Sequence, residues 1–157
     1  MAVAFTREED LETRASDLPD RPISPHPNLV TQSGLDLIEQ ALGEARAAYA
    51  AAQTDGVSAD RTAMARATRD LRYWGARRAS AQLTTPAPEG DIVQFGRTVD
   101  LERENGRRQT FRIVGEDEAD PAAGSISYVS PLARAVMGKA VGDVASVAGE
   151  VEIIAVR

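Results

Sequence analysis

Cysteine is absent from the 157-residue chain, which excludes a disulfide framework, a thiol nucleophile and a zinc centre built on thiolates. The single histidine, His26, sits between Pro25 and Pro27, and no acid–base relay can be assembled from one imidazole in that setting. Aromatic residues make up 4% of the chain against 43% hydrophobic residues in all, so any packed interior is aliphatic. Basic residues are outnumbered, 18 against 24 acids, and a net charge of −6 argues against a direct, long-lived grip on a nucleic-acid backbone. A protein partner is the better expectation. No apolar run approaches the roughly 18 residues of a membrane span, and the first residues lack the apolar stretch of a signal peptide. Membrane contact is therefore not expected, and the cytoplasm is the expected location.

What is present divides the chain into modules. Residues 1–27 mix charge with proline and offer no periodic apolar face, which suggests a flexible N-terminal arm. Residues 28–85 contain no proline and turn to alanine, leucine and paired charges. Leu35, Ile38, Leu42, Ala45, Tyr49 and Ala52 step by three and four, and Met64, Ala67, Leu71, Trp74, Arg78 and Ala81 do the same. If the two arms fold back on each other, facing positions have a constant sum, and Ala52/Met64, Tyr49/Ala67, Ala45/Leu71 and Leu42/Trp74 all satisfy it. The mirror point falls within Asp55-Gly56-Val57-Ser58-Ala59-Asp60, where Asp-Gly suits a reversal and Ser58 suits a helix N-cap. The spacing alone thus predicts an antiparallel coiled-coil hairpin over 28–85. Small seam residues bury little area, so only moderate stability is expected of it. Trp74 reads as a packing anchor opposite Leu42 rather than a base-stacking platform.

Residues 86–90 read as a hinge-like linker, and strand-like text follows over 91–157. Ile92–Phe95, Thr98–Glu102, Gln109–Val114, Ile126–Val129, Val144–Val147 and Val151–Val156 are the expected strands, with Asn105-Gly106 as a hairpin turn. Ser130-Pro131 opens a short helix to about Met137. The expected fold class is α+β, a helical hairpin followed by a small, mostly antiparallel sheet domain with one short helix. The acids Glu116, Asp117, Glu118 and Asp120 read as a solvated loop without calcium-ligand spacing.

Three strings carry a family resemblance: FGRTVDLERENGRRQTFRIVGEDEAD (95–120), ISYVSPLARAVMGKAVGD (126–143) and GEVEIIAV (149–156). They resemble the Gre transcription elongation factors, whose second domain is similar in fold to FK506-binding proteins. A weaker match extends to Leu29-Val30-Thr31-x-x-Gly34 and Ala79-Ser80-Ala81-Gln82-Leu83 at the two ends of the hairpin. The resemblance implies RNA polymerase as the partner, with the sheet domain docking at the rim of the secondary channel and the hairpin entering it. Nucleic acid would be met only through the transcription complex. The docking patch maps onto Ser130, Pro131, Leu132 and Arg134. It also implies that tip acids, here Asp55 and Asp60, help hold a magnesium ion shared with the polymerase active site, the factor having no cofactor of its own and not being itself an enzyme.

The tip departs from the family's Gly-Asp-x-x-Glu-Asn-Ala-Asp/Glu-Tyr. Thr54-Asp55-Gly56-Val57-Ser58-Ala59-Asp60-Arg61 lacks the central Glu, has Arg61 at the tyrosine position, and stands on arms about two turns shorter, which lowers the tip by about 10 Å. The leading expectation is therefore a monomeric polymerase-binding factor that modulates transcription without cleavage. The alternatives are a true transcript-cleavage factor acting through Asp55 and Asp60, and a small regulator of nucleoside diphosphate kinase. A prolyl isomerase is disfavoured, because the sheet domain has only Phe95, Phe111 and Tyr128 with which to line an aromatic pocket.

Overall fold

The computed structural model describes residues 18–54 and 61–157. They form two compact units: the described residues up to Pro25 with Leu37–Ser80, and His26–Asp36 with Ala81–Arg157. The chain thus changes unit after residues 25, 36 and 80 rather than after 27, 85 and 90. The nine residues 28–36, expected to belong with the hairpin, count with the sheet.

In the first unit the long proline-free runs form α1 (Gln32–Thr54) and α2 (Arg61–Ser80). The helices end and begin on either side of residues 55–60. Near their other ends Arg78 Nε lies 3.0 Å from Glu39 Oε1, so the pair is antiparallel as the spacing requires. Ile38, Leu42, Ala45, Ala52 and Ala67 are buried on the seam, with Tyr49, Met64, Leu71 and Trp74 half-buried beside them. The expected continuation through Arg78 and Ala81 is not what forms. Arg77, at 2% exposure, takes the inward position, Arg78 is drawn outward by the Glu39 carboxylate, and the helix stops at Ser80. An arginine stem is apolar enough to be covered in this way.

Residues 18–25, expected to be flexible, are seated on α2. Asp20 Oδ1 is 3.1 Å from Arg72 Nη1, Arg21 Nη1 is 3.7 Å from Asp70 Oδ1, and the Arg21 guanidinium stands 3.8 Å from the Tyr73 ring centroid. Charge pairs and ring stacking here replace the periodic apolar face that the sequence lacks.

In the second unit, β1 (Leu29–Val30) and β2 (Gln82–Leu83) pair in parallel, a short ladder with no sequence signal. The main sheet contains β3 (Thr98–Arg103), β4 (Arg108–Val114), β5 (Ser125–Ser127), β6 (Val144–Ser146) and β7 (Glu150–Val156) in the order β5-β4-β3-β7-β6. Strict alternation places Val99 and Leu101 of β3, and Val151 and Ile153 of β7, inward at 0% exposure, where they meet Ile113, Ile126, Ala133 and Val136. At the β3–β4 turn Gly106 takes φ +79°, its N–H bonds to Arg103 O, and Arg103 N bonds to Arg107 O. That is a three-residue hairpin loop whose left-handed position needs glycine.

The sheet is mostly antiparallel, as expected; its one parallel pairing sets β5 beside β4, where the loop after Gly115 and the 3-10 turn Pro121–Ala123 carry the chain back before β5 begins. Ile92–Phe95 is not a strand, since only Ile92 bridges to Ala140, and the turn closed by Arg97 N to Gln94 O ends the ladder while Val93 and Phe95 still enter the core. Among the described residues no helix is long and apolar enough to cross a membrane.

Two consequences are measurable. A Cβ at Gly115 would lie 2.3 Å from the backbone oxygen of Leu29, which has no flexible end to yield. Gly115→Ala is expected to lower the unfolding free energy by about 1–3 kcal/mol in denaturant titration. Arg157, joined to Thr98 by two backbone bonds, hydrogen-bonds Asp100, and with the Thr110 hydroxyl it holds that carboxyl below the usual carboxylate range. A depressed folded pKa stabilises above the ordinary aspartate value of about 3.9 and ceases to as pH falls through the folded value. The stability difference between the native chain and Arg157→Ala should therefore be present at neutral pH and shrink in acid below that value, as read by thermal melts across pH.

Candidate functional site

The corner containing residues 130–134 is built on a short helix, α3 (Pro131–Val136). Ser130 stands at its N-cap with extended backbone, its Oγ accepting the Ala133 N–H at 3.3 Å, and Pro131 occupies the first turn, where no donor is lost. Ala133 and Val136 are fully buried and anchor the helix in the sheet core, and Leu132 is half-buried against the same cluster. Pro131 and Arg134 face outward. The four expected residues are thus brought together in one helical turn, with Ser130 and Leu132 serving the fold and Pro131 and Arg134 exposed.

Sequence reasoning missed the segment beside them. Arg134 Nη2 lies 3.4 Å from His26 Nε2. The Tyr128 hydroxyl donates to the Pro27 carbonyl, and the Tyr128 ring meets Phe95 edge to face at 5.7 Å. The corner therefore includes residues 26–27, which composition alone assigns to a loose arm.

Glu118 departs further from expectation. It was expected in a solvated loop, yet its side chain is 13% exposed and lies at the start of α1. Thr31 Oγ1 donates to both carboxylate oxygens at 2.9 and 2.7 Å, Ser33 Oγ donates to one of them, and Arg112 Nη1 stands 3.9 Å away. Thr31 also caps the helix, accepting the Gly34 N–H at 3.0 Å, so an anion sits where the helix dipole is positive. Gly34 leaves room for it, since a Cβ there would meet Glu118 Oε2 at 3.0 Å. The Thr31-x-x-Gly34 string was the available signal, but its partner lies 87 residues away.

Arg97 was likewise missed. It is 5% exposed, and its guanidinium donates to the carbonyls of Gly90 at 2.9 Å, Glu89 at 3.0 Å and Ala87. The linker expected to hinge is thereby tied to the sheet domain. Asp55 and Asp60 lie outside the described residues, as does the magnesium expectation attached to them. Among the described residues no group of three or more histidines and carboxylates is placed to hold a metal ion.

Comparison with known proteins agrees with this architecture. A family model for the C-terminal part of the GreA/GreB transcription elongation factors matches residues 87–157. The transcription elongation factor GreA of Desulfovibrio desulfuricans is 40% identical over 112 residues, which cover 70% of this chain and 69% of that protein. The GreA of Ralstonia nicotianae is 52% identical over 73 residues, covering 44% of this chain and 46% of that protein. Among solved structures, the GreA factor homolog 1 protein of Thermus thermophilus is 21% identical with a TM-score of 0.40, over 84% of this chain and 99% of that one. A likeness that loose adds no argument.

Removing the Glu118 carboxylate strands the Thr31 and Ser33 hydroxyls. Glu118→Ala is expected to cost about 1–3 kcal/mol in denaturant titration, with faster amide exchange at residues 34–36, while Glu118→Gln, which keeps an acceptor, loses less.

Proposed function

The chain belongs to the GreA/GreB family of transcription elongation factors, and from that premise we propose that it binds RNA polymerase at the rim of the secondary channel, inserts its helical hairpin there and modulates transcription in the cytoplasm without promoting transcript cleavage. The observation that carries this reading is the antiparallel pair α1 and α2 in one chain with the sheet domain that the family model matches. At 23 residues α1 spans about 35 Å, the reach of a probe rather than of a core element. Pro131 and Arg134 supply an outward corner for the rim, anchored from behind by Ala133 and Val136. An exposed arginine over a rigid, buried base is the kind of residue on which protein interfaces concentrate their affinity.

The absence of cleavage is argued from the tip sequence. A hard cation brought to a polymerase site needs several oxygen ligands, and Thr54 to Arg61 offers two acids, lacks the family's central Glu and places an arginine where the tyrosine stands. The cleavage-factor reading remains the second one, with Asp55 and Asp60 as the ligands. Regulation of nucleoside diphosphate kinase draws no support from the family assignment.

One set of assays decides among them. Purified polymerase should retain the protein, and Arg134→Glu should weaken retention on the order of tenfold while leaving the thermal melt in place. Stalled, backtracked complexes should show no transcript shortening on its addition. Shortening that disappears in Asp55→Ala and Asp60→Ala would establish the cleavage reading, and failure to retain polymerase at all would reject both.

A further inference from the structure

The arm over residues 18–21 follows α2 in the same chain direction. Leu18 lies beside Met64 and Thr68, Asp20 reaches Arg72, and Arg21 reaches Asp70, Tyr73 and Trp74. The helix beneath is the most basic stretch of an acidic chain: between Arg61 and Ser80 there are six arginines, and Asp70 is the only acid. Charge is matched at both points of contact, because the arm sets its acid on one of the arginines and its arginine on the single acid. That match fixes the arm's register, which composition alone would leave free. Tyr73 and Trp74 meet edge to face at 4.9 Å and form the platform over which the Arg21 guanidinium lies.

The same contacts show that the seat is easily vacated. The Asp20–Arg72 pair is 62–66% exposed and the Arg21–Asp70 pair 38–39% exposed, and ion pairs so open to water are weak and screened by salt. Beneath the arm a cavity of about 250 Å³ remains, lined by Leu18, Met64, Ala65 and Thr68 on its apolar side and by Arg61 and Arg69 on the other. A segment held by loose packing and screened charge closes and opens reversibly.

From these observations we infer that residues Leu18–Arg21 are an intramolecular strap that covers the arginine face of α2 and competes with RNA polymerase for the hairpin. This rests on the polymerase-binding reading given above. A hairpin entering a narrow channel must carry the strap as a third chain along its side or shed it. Shedding releases Arg72 from Asp20 and opens the cavity beside half-buried Arg69 to an acidic protein surface. A population held closed by the strap lowers the apparent affinity by the fraction closed.

Trp74 is the chain's single tryptophan and lies 5.4 Å from the Arg21 guanidinium, so its emission reports the strap without any partner. In the full-length protein, Arg21→Ala and Asp20→Ala are each expected to change Trp74 emission, with circular dichroism unchanged. Salt should drive the native emission toward that of Arg21→Ala. Emission identical in all three and insensitive to salt would overturn the strap. In polymerase titrations at low salt the two variants together should bind on the order of fivefold tighter than the native chain, the gap closing at high salt. Equal or weaker binding by the variant, with the native chain still binding, overturns the strap's inhibitory role alone. Absence of binding by every version overturns the polymerase reading and the competition with it.

Discussion

At the start of α1 the Glu118 carboxylate takes hydrogen bonds from Thr31 and Ser33 while Arg112 stands 3.9 Å away, and two stretches distant in sequence meet through one anion. A carboxylate this covered is stable only if its oxygens are satisfied, and the hydroxyls that satisfy it are themselves held by the first turn of α1. The helix end gains an anion where its dipole favours one, and the loop after β4 gains a fixed course. Gly115, whose backbone crosses that of Leu29 too closely for a side chain, belongs to the same arrangement. β1 and β2 pair nearby, so hydrogen bonds fix the ends of the chain segments that lead into α1 and out of α2.

Much of this was legible in the sequence, for identifiable reasons. A period of three and four over two proline-free stretches has one economical solution, and Ile38, Leu42, Ala45, Ala52 and Ala67 lie on the seam it specifies. Asn105-Gly106 declared its turn because few residues tolerate the backbone found at 106. The corner at residues 130–134 was singled out only through family resemblance, since Ser130-Pro131 by itself says helix start and nothing of a partner.

The misses share a cause. Whether Glu118 is solvated depends on hydroxyls 85 and 87 residues away, and whether the linker hinges depends on Arg97 capturing its carbonyls. Neither partner leaves a periodic trace. The contacts of Asp20 and Arg21 were not foreseen because the pattern sought was apolar, whereas these two residues hold by charge and by a ring face. The strand at 92–95 failed on a tight turn, and the parallel β4–β5 pairing on a connection whose path no local rule specifies. On the seam, the choice between Arg77 and Arg78 was decided by which of them could find Glu39.

The side-by-side pairing of Leu29–Val30 with Gln82–Leu83 has an evolutionary meaning. Chain leaves the sheet unit and comes back to it at adjacent points, so the helical excursion between them can grow or shrink by equal whole turns in both limbs without rewriting the sheet. The length of the two helices is thus free to vary while the short ladder that joins their ends stays the same.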